Sequence, residues 1–311
     1  MKNKPDISIC MITYNHEHYI RHAIEGVLMQ KTNFDYELVV VNDCSTDKTD
    51  QVIKDIMASH ENGNVIKYQA HDKNMGMMAN FACALNLCQG RYIALCEGDD
   101  YWSDPNKLQV QTEFLEQNKT YALVGHNAKF IKEGRALDEV VRKVEADFLD
   151  FSTSDMIMRN PFVSSMTLFK NIGFENFKTV LDNFIVGDKA LFTLLSFYGK
   201  IRFYSDPVGY YRKHAESVTS QNRIEYLPFK KDLINRIKHA EYWNAYSNYQ
   251  FDEETLKVKE YRSRVLVGQA LRNFDLKTAV HYSKFVDLNK IRKKSSRRII
   301  GFLNRVESLF N

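Results

Sequence analysis

Residues 7–49 read ISICMITYNHEHYIRHAIEGVLMQKTNFDYELVVVNDCSTDKT, and the alternation within them decides the fold. Ile7–Thr13 is an apolar run that ends in polar residues. His18–Gln30 places Ile20, Ile24, Val27 and Leu28 at helical spacing. Glu37–Asn42 has a Leu-Val-Val-Val centre, the composition of a strand buried on both faces. Ser45 or Thr46 is positioned to cap a helix running to about Met57. Further on, Val65–Gln69 reads as a strand, Met77–Leu87 as a helix and Tyr92–Cys96 as a strand. Strands alternating with helices of this length form βαβ units. The expected fold class is therefore α/β, a Rossmann-like, mostly parallel sheet with helices on both faces.

Asp104-Pro105 has the form of a cap followed by proline at the first helical position, opening a helix through Glu116. Tyr121–Ala128, Val163–Phe169, Ile201–Tyr204 and Val208–Arg212 read as strands, with a helix over Lys189–Phe197. Residues 131–150 are charged and show no period. Beyond Asn222 strand signals cease and helical periodicity continues to the end, with Tyr261–Asn273 and Leu276–Leu288 as two helices joined at Phe274-Asp275. Gly268, Ala270 and Ala279 offer close packing between them. The expected organisation is one domain over residues 1–222 and a helical region over 223–311.

Among 311 residues, 44% are hydrophobic and 26% charged, which is the balance of a globular protein with a sizeable core. There is no apolar run of the roughly 18 residues that a membrane-spanning helix needs. The N-terminus has no signal-peptide pattern, so a cytoplasmic location is expected. Five cysteines, none in a C-x-x-C pair, argue against structural zinc and fit reduced thiols. A net charge of +4 is too small to imply nucleic-acid binding by the whole chain.

In an open parallel sheet, ligands bind at the carboxyl ends of the strands. Here those ends carry Thr13-Tyr14-Asn15, Asn42-Asp43, His71-Asp72-Lys73-Asn74 and Glu97-Gly98-Asp99-Asp100, a polar rim delivered by four strands. Asp43 reads equally well as a residue that begins the next helix. Glu97, Asp99 and Asp100 concentrate negative charge that a hard divalent cation, Mg²⁺ or Mn²⁺, would relieve. The competing reading is a solvated acidic turn before Asp104.

The stretches ICMITYNHEHYIRHAIEGVLMQ, YELVVVNDCSTDKT, HDKNMGMMANFACALNLCQGRYIALCEGDDYW and DPNKLQVQTEFL together resemble the nucleotide-sugar-binding domain of glycosyltransferase family 2, inverting enzymes of the GT-A fold. The resemblance is collinear over about residues 5–130 and thinner through 160–220. It implies that Thr13, Tyr14 and Asn15 line a nucleoside pocket and that Asp43 contacts the base. It also implies that Asn74 and Gly76 shape the turn beside the donor, and that Asp99 and Asp100 bind ribose and the metal-diphosphate. Relatives commonly carry aspartate where this chain has Glu97. VGDKALFTLL resembles the segment holding the family's acidic residue under the acceptor cleft, which makes Asp188 the general base. Asp188 is also placed as a helix cap, and Asp182 is a weaker competitor. YYRKHAESVTS resembles the segment that closes over the diphosphate, so Arg212 and His214 would face phosphate or metal, with Ser217 nearby.

The expected function is inverting, metal-dependent transfer of one hexosyl or N-acetylhexosaminyl group. The donor is a nucleotide-diphosphate sugar, UDP-linked by family habit. The acceptor is a saccharide, lipid-linked, in bacterial-type cell-surface polysaccharide assembly. A catalytically silent nucleotide-sugar binder or scaffold is the alternative. There is no G-x-G-x-x-G after the first strand and no P-loop, which excludes dinucleotide dehydrogenases and P-loop NTPases. Over Asn289–Arg305 the chain carries Lys290, Arg292, Lys293, Lys294, Arg297, Arg298 and Arg305 with no acidic residue, interleaved with Ile299, Ile300, Phe302 and Leu303. Such a stretch suits peripheral contact with the inner face of a membrane. A solvated helix packing its apolar side inward, or a nucleic-acid contact, reads from the same residues.

Overall fold

The computed structural model describes residues 4–214, 225–291 and 294–308, with side chains for 295–305 in the last stretch. The chain divides into two compact units, residues 1–156 with 160–214, and residues 157–159 with 215–311. The expected boundary after residue 222 lies outside the described residues, as do Ser217, Arg292 and Lys293.

In the first unit, β1 (Ile7–Thr13), β2 (Tyr36–Asn42), β3 (Ile66–Ala70) and β4 (Tyr92–Leu95) alternate with α1 (Ile20–Leu28), α2 (Thr49–Ser59) and α3 (Met77–Leu87). The strands pair in parallel in the spatial order β3-β2-β1-β4. Every residue of the Leu-Val-Val-Val run in β2 is buried, as a doubly covered parallel strand requires. β5 (Tyr101–Trp102) and α4 (Lys107–Gln117) follow, then β6 (Tyr121–Lys132), β7 (Arg135–Val140) and β8 (Phe148–Phe151). After them come α5 (Thr153–Met158), β9 (Thr167–Lys170), α6 (Phe177–Leu181), α7 (Gly187–Ser196) and β10 (Lys200–Lys213). The whole sheet runs β3-β2-β1-β4-β9-β6-β10-β5, with β7 on β6 and β8 on β10. β9 enters antiparallel to both β4 and β6, so the parallel half gives way to a mixed half.

Several local expectations are corrected. The second helix starts at Thr49 rather than at Ser45 or Thr46, because those residues bond back to Asn42 and Asn15 instead. Asp47 accepts the Thr49 N–H in their place. Residues 131–150 contain two strands. β7 is exposed or half-buried along its length, so no apolar period betrays it. Ile201–Tyr204 and Val208–Arg212 are one strand, because register shifts around Tyr204, Pro207 and Tyr210 absorb the proline at a bulge. The strand expected from Val163 begins at Thr167, after a 3-10 turn over Ser164–Met166.

The second unit holds α8 (Tyr226–Tyr246), α9 (Asp252–Arg272), α10 (Leu276–Ser283) and α11 (Lys294–Ser308), with no strand among the described residues. α9 begins nine residues before the expected Tyr261, with Asp252, Glu253 and Glu254 in its first turn, where the helix dipole favours carboxylates. The joint at Phe274-Asp275 is as expected. Phe274 has φ 56° and Asp275 caps α10 by accepting the Thr278 N–H. Asp275 also accepts from Tyr226 and Lys230, which holds its carboxyl below the usual range. Ala270 and Ala279 are fully buried in one cluster with Val267, Ile300 and Leu303. A Cβ on Gly268 would meet nothing within 4 Å, so that glycine is not a close-packing contact.

Candidate active site

The loop leaving β4 continues to pair with β1 beyond the strand itself, through Cys96 N–H to Cys10 O and Gly98 N–H to Ile12 O. A Cβ at Gly98 would lie 2.8 Å from Thr13 Oγ1 and 2.9 Å from His16 Nδ1, so only glycine lets this loop lie against the one after β1. β5 then pairs antiparallel with β10 at Tyr101–Tyr210 and Trp102–Gly209. That pairing brings Arg212 back onto the acidic loop. Its backbone N–H donates to Asp100 Oδ1 at 2.8 Å and its Nε to the Asp99 carbonyl at 2.8 Å.

Glu97, Asp99 and Asp100 offer carboxylate oxygens that all lie within 4.8 Å of one another. Asp100 is 1% exposed. Its other oxygen accepts from Ser165 Oγ at 2.7 Å. Burial, then the charges of Asp99 and Glu97, push it well above the ordinary carboxylate range despite those two bonds. Glu97 accepts from Ser164 Oγ at 2.7 Å, and burial followed by Asp99 raises it to about 8. Asp99 goes the other way. Burial would raise it, but the His214 Nε2–H bond at 3.1 Å, with the charges of His16 and His214, holds it below the ordinary value. The donor set is oxygen-rich, crowded and partly frustrated, with one member kept ionised. Those are the properties that suit a hard divalent cation.

Asp188 lies in the first turn of α7, half-buried. It is not the cap, which is Val186 in extended conformation. Its Oδ2 accepts from Asn160 Nδ2 at 3.1 Å and its Oδ1 from the Lys189 N–H at 2.6 Å, and burial raises its pKa against both. The preceding Gly187 packs toward α3, where a Cβ would meet Met78 Sδ at 3.0 Å and Phe81 at 3.2 Å. Asp182 is half-exposed and bonded to Lys178, away from these groups.

One short segment connects both sets of carboxylates. Asn160 holds Asp188, Ser164 holds Glu97 and Ser165 holds Asp100. Trp102 Nε1–H donates to the Ser165 carbonyl and fixes that segment against β5. Asn160, Ser164 and Ser165 were not singled out in the sequence, because NPFVSSMTLFK reads as the approach to a strand. His16 and Tyr19 were missed too. His16 bonds Thr13 Oγ1, and Tyr19 lies 4.7 Å beneath the Arg212 guanidinium and 5.1 Å from the His214 ring.

At the rim, Tyr14 is 42% exposed, whereas Thr13 is buried. Asn15, at φ 54°, ties the first loop to the second by donating its N–H to Ser45 Oγ and accepting the Thr46 N–H. Asp43 is 3% exposed and does not begin α2. Its two oxygens accept the N–H groups of Met75 at 2.7 Å and Gly76 at 2.9 Å, and Asn74 Oδ1 also accepts from Gly76. Gly76 has φ 84°, a value that glycine adopts without strain.

The sequence profile described as Glycosyl transferase family 2 matches residues 8–169, just over half of the chain. An uncharacterized protein of Mycobacterium tuberculosis is 30% identical over 212 residues, covering 68% of this chain and 60% of that protein. A Bacillus subtilis glycosyltransferase provisionally assigned to teichuronic acid biosynthesis, TuaG, is 28% identical over 53% of this chain and 62% of its own length. The chain thus spans about three fifths of these relatives. Among solved structures, Staphylococcus aureus TarS 1–349 in complex with UDP-GlcNAc superposes with TM-score 0.55 at 16% identity, over 96% of this chain and 87% of that one. The mannosyltransferase PcManGT of Pyrobaculum calidifontis, in complex with GDP-Man and Mn²⁺, gives TM-score 0.50 at 14% identity over 97% and 86%. Fold and profile agree: the chain belongs to glycosyl transferase family 2 and has the GT-A fold.

Proposed function

We propose that the chain transfers one sugar, with inversion, from a nucleotide-diphosphate sugar to a saccharide hydroxyl. The observation that carries this reading is the segment from Asn160 to Ser165, which bonds Asp188 on one side and the Glu97–Asp100 group on the other. A base and a diphosphate-binding group are thereby held by one piece of backbone.

The acceptor hydroxyl has a pKa far above 7 and needs a base as it attacks. Asp188 takes that proton, and its raised pKa makes it a stronger base than an exposed aspartate. Asn160 and the Lys189 N–H fix its orientation. Asp99 and Asp100, with His214, are the residues to hold Mn²⁺ or Mg²⁺, which when bound supplies positive charge for the departing diphosphate. Arg212, buried and stacked over Tyr19, adds a fixed cation on the same side. Tyr14 and Asn15 line the nucleoside pocket, with Thr13 buried beneath them and bonded to His16. Asp43 acts toward the base by holding the Asn74–Gly76 turn through two N–H bonds.

The finer reading is a UDP-linked hexose or N-acetylhexosamine and a lipid-linked acceptor in polysaccharide assembly, and the TarS complex and TuaG support it by likeness. The test is thermal unfolding with UDP, GDP, dTDP and CMP, each with Mn²⁺ or EDTA. Ligand at 100 times its Kd stabilises by about 2.7 kcal/mol, which moves the midpoint by several degrees. A shift with one nucleotide that requires metal and is lost in Asp100→Ala is expected. No shift with any of them would leave the silent scaffold as the better reading.

A further inference from the structure

The basic helix of the second unit has two faces of different character. Ile300 and Leu303, 7% and 6% exposed, pack with Val267, Ala270, Ala279 and Ile291, so α11 is anchored by its own unit. The other face displays Phe302 at 64% exposure, with Ile299, 49% exposed, at its border beside a groove lined by Val267, Gly268 and Ile300. Arg298 precedes Phe302 by four residues and Arg305 follows it by three, which puts both exposed arginines on the aromatic's side of the helix. No acidic residue lies between positions 288 and 306. A helix already satisfied on one side gains nothing for folding by exposing a phenylalanine between two cations on the other.

We infer that this face of α11 docks on an anionic lipid bilayer, with Phe302 and Ile299 entering the headgroup–acyl boundary and Arg298 and Arg305 meeting lipid phosphates. Charge complementarity selects this occupant. In a two-fold dimer the same patch meets itself, arginine against arginine. A nucleic acid would match the arginines but leave Phe302 and Ile299 without apolar cover. The inference does not depend on the transferase reading.

The experiment is co-sedimentation of the full chain with vesicles of phosphatidylcholine alone and of phosphatidylcholine with 30 mol% phosphatidylglycerol (about one anionic lipid in three). Binding to the mixed vesicles at low salt, and its loss at 0.5 M NaCl, is expected. Arg298→Glu with Arg305→Glu should lower the partition coefficient by at least roughly 30-fold, at about fivefold for each cation removed. Phe302→Ser should lower it by about tenfold. Lys31→Glu with Lys67→Glu, an equal charge change on exposed residues of the first unit, should leave binding within about twofold. Circular dichroism and an unchanged thermal midpoint establish that each variant is folded. Equal binding to neutral vesicles would overturn the inference, as would pelleting that survives the arginine reversals. So would a protein that stays in the supernatant and forms a dimer broken by Arg298→Glu.

Discussion

Charge is treated in opposite ways in the two units. In the first, Asp100 is buried and Glu97, Asp99 and Asp188 are half-buried, and each answers to named partners: Ser165 with Arg212 for Asp100, then Ser164, His214 and Asn160. In the second, Arg298 and Arg305 are exposed on α11, and that helix is held to its unit through the apolar side chains of Ile300 and Leu303. A buried charge depends on one or two atoms, so a single-atom change there reaches the chemistry. An exposed charge acts additively and through salt. The comparison therefore predicts steep, local responses in the first unit and shallow, screened ones on the outer face of the second.

The largest effect should come from Asp188→Asn, which keeps the shape and removes the basic oxygen. kcat for sugar transfer should fall by roughly 10²–10⁴, with the nucleotide-induced thermal shift unchanged. If transfer persisted near its normal rate, the base would lie elsewhere. The two faces of α11 sharpen the contrast within one helix. Ile300→Ala should cost about 2–4 kcal/mol in urea unfolding, since Ile300 is 7% exposed and packs in the apolar cluster of its unit. A third test concerns Lys107, which is 1% exposed, bonded to Gln111 Oε1 at 2.8 Å and 3.9 Å from the Trp102 ring centroid. Burial lowers its pKa from 10.5 to about 7. Between those values the unfolded chain holds the proton and the folded one releases it. Stability should therefore rise with pH through that window, by up to about 1.4 kcal/mol per pH unit. Lys107→Met should remove that rise from thermal midpoints measured between pH 7 and 10, and an unaltered slope would mean that the lysine stays charged against the indole face. The smallest effect is expected from Phe302→Ala, within about 0.5 kcal/mol, because its ring is 64% exposed. A large loss there would mean that the outer face of α11 is structural after all.

The parallel half of the sheet was legible because buried strands must be apolar and amphipathic helices must repeat near 3.6 residues. Ile7–Thr13 and Met77–Leu87 were read at their observed limits. The polar strand ends fall at the candidate site, where the loops bond one another: Asn15 to Ser45, and Asp43 to the Met75–Gly76 turn. Legibility failed where non-local partners overrode local propensity. Ser45 and Thr46 are good helix caps in isolation, but Asn42 and Asn15 claim their hydrogen bonds. The proline between Asp206 and Val208 reads as a strand break, yet a bulge carries β10 through it. Asn160, Ser164 and Ser165 could not be found from spacing at all, because they matter only through residues at least 28 positions away in sequence.

The turn at Met75–Gly76 is gripped by its amides alone: Asp43 takes both N–H groups, and the side chains of Met75 and Met77 point outward at 46% and 44% exposure. Position and content are thereby decoupled at this corner of the rim. Gly76 and Asp43 must be kept, but positions 75 and 77 can be exchanged without moving the backbone that carries them. If the proposed donor site is right, a library randomised at those two positions would change the side chains beside it while leaving the Asp43-held backbone in place, and would test whether this turn tunes donor choice.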